Sequence, residues 1–182
     1  MLGKHHTIHI IGSASGVAAG DAGCADGPET LKNSPLIKAA FHQAGINVVW
    51  DALLRPAESQ AHAMEVVTQH CLNLATAVAK IARDQKLFVV FGGDHSGAVG
   101  TWSGAYNAVQ AKGDLGLIWI DAHMDSHTPE SSHTGNIHGM PVACLLGEGT
   151  SPLTKILSDN PKIKPEHLCL IGVRSYEPEE AA

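Results

Sequence analysis

Leu87-Phe-Val-Val-Phe-Gly-Gly-Asp-His-Ser96 and Leu115-Gly-Leu-Ile-Trp-Ile-Asp-Ala-His-Met-Asp125 are built the same way. Each is a continuous apolar run that stops at a glycine or an aspartate and passes straight into side chains able to hold protons or cations. Unbroken apolar runs of this length are the mark of parallel strands covered on both faces, so both are expected as central strands. Ser96 to Ala111 between them reads as a helix, the crossover that two parallel strands require.

The same alternation extends outward in both directions. Thr7-Ile-His-Ile-Ile11 reads as a first strand, Ile46 to Trp50 as a second, and His167 to Ile171 as a fifth after a turn region at 161–165. The Gly- and Ala-rich segment from Gly12 to Gly27 is expected as a long loop, with Pro28 opening a helical turn. Ser34-Pro35 supplies the N-cap and first-turn proline of the next helix, which Gly45 terminates. From Glu58 to Lys86 the spacing of Met64, Val67, Cys71, Leu74, Val78 and Ile81 predicts one long amphipathic helix, and another is expected to start near His138. The pattern predicts an α/β fold: one domain over residues 1–182 with an open, mostly parallel sheet and helices on both faces.

Composition narrows the function. At 182 residues and 44% hydrophobic, the chain can bury a sizeable core. Its net charge of −6 comes without any lysine or arginine cluster, which argues against nucleic acid and membrane partners. No stretch reaches the roughly 18 apolar residues of a membrane span, and three histidines interrupt Met1 to Ile11 where a secretory signal would be apolar, so a cytoplasmic protein is expected. Cys24, Cys71, Cys144 and Cys169 form no Cys-x-x-Cys pair and read as buried free thiols.

In open parallel sheets ligands gather at the carboxyl ends of the strands. There Asp121, His123 and Asp125 stand at alternate positions, so in an extended segment all three can aim at one point, and His95 can reach it from a neighbouring strand end. Two adjacent carboxylates are costly to bury without a cation, and a mixed carboxylate and imidazole set suits manganese or a similar divalent ion. Asp94 is expected to support this group.

Gly92-Gly-Asp-His-Ser96 and Asp121-Ala-His-Met-Asp125 together resemble the first two signatures of the arginase and agmatinase ureohydrolase superfamily, and Gly27-Pro-Glu-Thr-Leu31 and Ile171-Gly-Val-Arg174 resemble two further segments of it. The resemblance implies an arginase-like three-layer fold carrying two manganese ions. By position, His95 and Asp125 would ligate the first ion, His123 the second, and Asp121 both. Their joint effect would be to turn a bridging water into a hydroxide that attacks the guanidinium carbon of L-arginine, giving urea and L-ornithine. The segment from His127 to Pro141 resembles the arginase loop. By that likeness His127, Ser132, Thr134 and Asn136 would surround the substrate's α-carboxylate, Glu177 would take its α-amino group, and His138 would shuttle the proton to the leaving amine.

His127, Thr134 and Glu177 depart from the usual Asn, Ser and Asp, which changes their reach by about one bond or one ring. A related ureohydrolase acting on agmatine, guanidinobutyrate or formimidoylglutamate is the nearest alternative reading. A noncatalytic metal-binding fragment is another, because the family's third signature, Ser-x-Asp-x-Asp-x-x-Asp-Pro, does not occur. On this resemblance the chain is expected to be incomplete at its C-terminus, part of a protein of about 300 residues. Leu115–Ile120 and one sheet edge would then be poorly covered, and the full-length form is left free to be a homo-oligomer. His5, His6, His9, His42, His62, His70 and His167 are assigned to structure or surface, and alternation turns His133 away from the Ser132 and Thr134 side.

Overall fold

The computed structural model describes residues 7–149 and 151–181; His5 and His6 lie outside them. Strand β1 (Thr7–Ser13) is the centre of a parallel three-stranded sheet, flanked by β2 (Asn47–Leu54) and β3 (Phe88–Gly92). Its isoleucines explain why. Ile10 and Ile11 are 0% exposed, and β-branched side chains fit a pleated surface that is packed on both sides.

Ile11 packs with Leu74 and Val78 of α3 (Ala63–Arg83) and Ala105 of α4 (Gly97–Val109). Gly12, on the opposite face, lies beneath Pro28 of α1 (Gly27–Asn33), where a Cβ would approach Pro28 to 3.2 Å and Leu53 to 2.4 Å. Helix α2 (Pro35–Gln43) follows, capped by the Ser34 hydroxyl, which accepts from the Ile37 N–H at 3.4 Å. The expected helices on both faces are therefore present.

A second parallel pair, β4 (Leu117–Ile120) with β5 (Leu168–Ile171), completes the strands of the described residues. Leu117 and Trp119 are buried against Val142 and Leu145 of α5 (Pro141–Leu146) and against Ile163. The outer face has no such cover: Ile118 is 65% and Ile120 77% exposed. A short helix, α6 (Ser151–Thr154), leads to Lys162, whose buried ammonium donates to the carbonyls of Thr154, Ser158 and Asn160 at 2.7–2.8 Å. Burial pushes that ammonium down to about 8, so it stays largely charged near neutral pH.

Several expectations need correction. β3 and β4 are edges of two separate sheets, not central strands, and β1 takes the central place. Beside β3 opens a cleft of about 570 Å³, lined by Phe88, Val90, Ala98 and Trp102. An apolar run records that both faces of a strand want cover, not which elements supply it. The expected exposure along Leu115–Ile120 is found at Ile118 and Ile120.

The helix read as Glu58 to Lys86 is shorter, because the residues before it form a turn in which Ser59 Oγ accepts from Ala61 N. The helix expected near His138 is a 3-10 turn, Ile137–Gly139, followed by α5 with Pro141 in its first turn. The Gly12–Gly27 loop is shortened by β1, which runs to Ser13, and by a 3-10 turn at Ala22–Asp26.

Helices α3 and α4 lie close enough that a Cβ on Gly100 would come within 2.7 Å of Cys71 O, and one on Gly104 within 2.4 Å of Ala75 O. Only glycine fits such an approach.

Of the four thiols, Cys71 and Cys144 are buried as expected, Cys24 is half-buried, and Cys169 is exposed because it faces outward on β5. Burial pushes Cys71 up to about 12 and Cys144 up to about 11, so neither carries much thiolate near neutral pH. Iodoacetamide at pH 8 is expected to alkylate Cys169 in the folded chain and to leave Cys71 and Cys144 unmodified until it unfolds. Peptide mass mapping reads this directly, and early labelling of Cys71 would contradict the packing. Among the described residues no helix is long and apolar enough to cross a membrane.

Candidate functional site

The site forms where β3 ends and α4 begins. Gly93 N donates to Ser13 O at 2.9 Å and Asp94 N to Ser15 O at 2.8 Å, pressing this corner onto the segment after β1. A Cβ on Gly93 would stand 2.1 Å from Ser15 O. Because the obstacle is backbone, Gly93→Ala is expected to cost about 3 kcal/mol, the upper end of ordinary overpacking. Urea denaturation of the apo chain measures it, and a loss below about 1 kcal/mol would mean the corner yields more easily than its contacts suggest.

Asp94, expected as a supporting carboxylate, is buried and fully engaged. Its Oδ1 accepts from Ser96 N and the Ser96 hydroxyl, and its Oδ2 from Ser15 Oγ at 3.1 Å and Ala18 N at 3.3 Å. Ala18 in turn offers its carbonyl to His138, whose Nδ1 donates to it at 2.9 Å. A carbonyl can only accept, so this bond fixes the proton on Nδ1 and leaves Nε2 as the basic ring atom.

His95 lies over β4, its ring stacked on Trp119 with centroids 4.6 Å apart. Its Nδ1 sits 2.7 Å from Asp125 Oδ2 and 3.3 Å from Asp121 Oδ2. One donor atom from each of these three residues falls within 4.8 Å of the others. Burial disfavours the His95 imidazolium, but the Asp125 carboxylate, helped by Asp121 and Asp94, outweighs it and raises the pKa. Burial likewise works against the Asp121 carboxylate, and the His123 N–H with the His95 and His123 rings overcomes it, so its pKa is lowered.

Asp125 is 6% exposed, and its Oδ2 has no aligned hydrogen-bond donor. Its backbone has φ of +53°, a strained setting for a residue with a side chain and one that tends to mark functional positions. A mixed set of two carboxylates and an imidazole converging at a buried oxygen fits a divalent cation.

His123 stands apart from that trio. It is largely exposed and approaches the other oxygen of Asp121, with Nδ1 3.3 Å from Oδ1. Asp121 thus presents one oxygen toward each imidazole. The expected alternation of 121, 123 and 125 does not hold, because β4 ends at Ile120 and the left-handed turn at Asp125 brings that side chain back toward His95.

A polar cavity of about 330 Å³ adjoins this cluster, and His123, Asp125, His127, Ser132, Thr134, Asn136, His138 and Glu177 all line it. His133 lines it as well, against expectation, because 131–136 is a turn rather than an extended segment and alternation does not apply. His127 Nε2 is 2.7 Å from Glu177 Oε2, and this hydrogen bond holds the Glu177 carboxyl below its ordinary value.

Sequence reasoning missed Glu180. Its nearly buried carboxylate accepts from Ser126 N at 3.2 Å and Glu177 N at 3.1 Å, tying the 177–181 turn to the loop after β4. The Glu177 to Glu180 spacing of a capping box was the available signal.

Comparison with known proteins finds arginases as relatives. An arginase from Bacillus caldovelox is 43% identical over 153 residues, covering 84% of this chain and 46% of that protein. The crystal structure of arginase from Bacillus subtilis superimposes with a TM-score of 0.86 at 35% identity, covering 96% of this chain and 59% of that one. Entamoeba histolytica arginase in complex with L-ornithine gives 0.83 at 30% identity, covering 98% and 61%. The chain spans about half the length of the curated relatives it matches. Since the model of the arginase family matches residues 6–182, nearly the whole sequence, the chain belongs to the arginase family.

Proposed function

We propose that this chain carries part of a manganese-dependent ureohydrolase site that converts L-arginine to L-ornithine and urea. The observation behind this reading is the meeting of His95 Nδ1 with the carboxylates of Asp121 and Asp125, one of whose buried oxygens has no aligned donor. His95 and Asp125 would hold one cation, His123 a second, and Asp121, with an oxygen toward each imidazole, would be shared. Bound divalent cations supply Lewis acidity and a water acidic enough to be nucleophilic near neutral pH.

The chain's own residues do the rest. Hydrolysis forms a C–O bond to the guanidinium carbon and breaks its C–N bond to the side chain, and the departing amine needs a proton. His138, held by Ala18 O with a proton on Nδ1, can deliver it from Nε2 once that nitrogen has taken up a proton from solvent. Ser132 Oγ accepts from Gly135 N and Thr134 Oγ1 from Asn136 N, which fixes both hydroxyls while leaving their protons to donate to an α-carboxylate. Glu177, steadied by His127, is the acceptor for an α-ammonium. That a relative was crystallised with L-ornithine supports the choice of amino acid.

With the chain complemented by the C-terminal half of a Bacillus relative, kcat/KM for L-arginine should exceed that for agmatine by about 100-fold or more, because loop donors left unpaired reject the decarboxylated analogue. Equal turnover of both would transfer the reading to a different ureohydrolase.

A further inference from the structure

Helix α2 packs on β2, with α1 beside it over β1 and β3, without closing a core. No residue of α2 is buried, and Leu31, Ile37, Phe41, Ile46, Val48 and Trp50 all remain partly exposed. None of them belongs to the three buried clusters that hold the rest of the protein together. Instead they surround a cavity of about 380 Å³, a size usual for small-molecule sites. Apolar side chains left half-exposed around one hollow gain by the arrival of an apolar body.

The polar part of the lining has one sign. It comprises Lys32, Lys38, His42 and Asn33, with no carboxylate. Nearby acids are already engaged, Glu29 by Arg55 and Asp51 by His9. Lys32 Nζ stands 5.7 Å from the centroid of the Trp50 ring, and Trp50 in turn leans on Phe91 at 5.7 Å. In a chain of net charge −6, two lysines above an apolar hollow with an aromatic wall make a local attractor for anions.

We propose that this cavity binds a small carboxylate with an aromatic body, the ring against Trp50 and Phe41 and the carboxylate between Lys32 and Lys38. A cation is repelled by the lysines, and an uncharged ligand makes no use of them. A bare phosphate leaves the apolar wall in water. The site shares no residue with the metal cluster, so it stands independently of the ureohydrolase reading.

The test is a titration of the 15N-labelled chain with 3-phenylpropanoate, followed at the Trp50 indole N–H and at the amides of Lys32, Lys38 and Phe41. Saturable shifts confined to these residues are expected. 3-Phenylpropanamide, which lacks the charge, and propanoate, which lacks the ring, should each bind at least about 10-fold more weakly, since an ion pair or an aromatic contact in a partly desolvated site is worth roughly that much. Lys38→Gln alone, and with Lys32→Gln, should weaken the carboxylate by a similar factor and leave the circular dichroism spectrum unchanged. The proposal is overturned by absence of saturation, by equal affinity for the amide, or by shifts that map to another part of the chain. It is also overturned if the same resonances move with protein concentration alone, which would assign the face to a second copy.

Discussion

Asp125→Asn is expected to remove manganese from the protein while changing the stability of the apo fold little. Asparagine keeps the shape and tolerates the left-handed backbone that Asp125 adopts. What it loses is the charge that makes this buried oxygen a ligand. Loss of outer partners of metal ligands already costs roughly 10–100-fold in affinity, so loss of a ligand charge should cost on the order of 100-fold or more. In the apo state two effects oppose each other. The amide forfeits the 2.7 Å ion pair with His95 but relieves the cost of burying a charge whose oxygen lacks an aligned donor, about 1–3 kcal/mol. Metal content after gel filtration and thermal unfolding in chelator measure the two arms together. Full manganese occupancy in both Asp125→Asn and Asp121→Asn would remove these residues from the site. A large apo destabilisation would instead make Asp125 a structural residue.

The second large effect concerns the chain by itself, which is expected to show negligible urea release from L-arginine even with manganese added. On the proposed assignment His95, Asp121 and Asp125 would hold one cation, and a second would have only His123 and a share of Asp121 among the described residues. An ion with mostly water ligands lacks the fixed geometry that positions and acidifies a nucleophile. The unpaired outer edges of β3 and β4 point the same way, and Ile118 and Ile120 face outward without cover. Addition of a separately expressed C-terminal half from a Bacillus relative should restore activity and protect β3 and β4 amides from hydrogen exchange. Brisk turnover by the chain alone would show the site to be already sufficient.

What the sequence made legible was local. The strand ends at Gly92 and Ile120, the donor-rich residues just beyond them and the polar loop around Asn136 are readable from residue type and position, because turn formation acts over a few residues. Relations across space were not legible. The run Leu117–Ile120 demands burial, yet nothing in it tells that β3 is not its neighbour. His133 was misjudged because alternation presumes extended backbone, and the 131–136 segment turns. The path from Asp94 through Ala18 to His138 joins residues 120 positions apart at its longest step, which only folding brings together.

The glycine-mediated closeness of α3 and α4 also bears on the order of folding. Residues 63–109 hold both helices and β3 as consecutive elements with short connections, so their mutual contacts close small loops and form fast. The pairing of β4 with β5, with Leu117 opposite Leu168, must wait for a much longer loop. The helical pair therefore serves as the early nucleus, laying down the strand that carries His95 before its acidic partners arrive. During that interval β4 lacks β5 as well as cover for Ile118 and Ile120, which stay exposed in the folded chain too, so the delay adds a second unpaired edge to a strand already prone to associate.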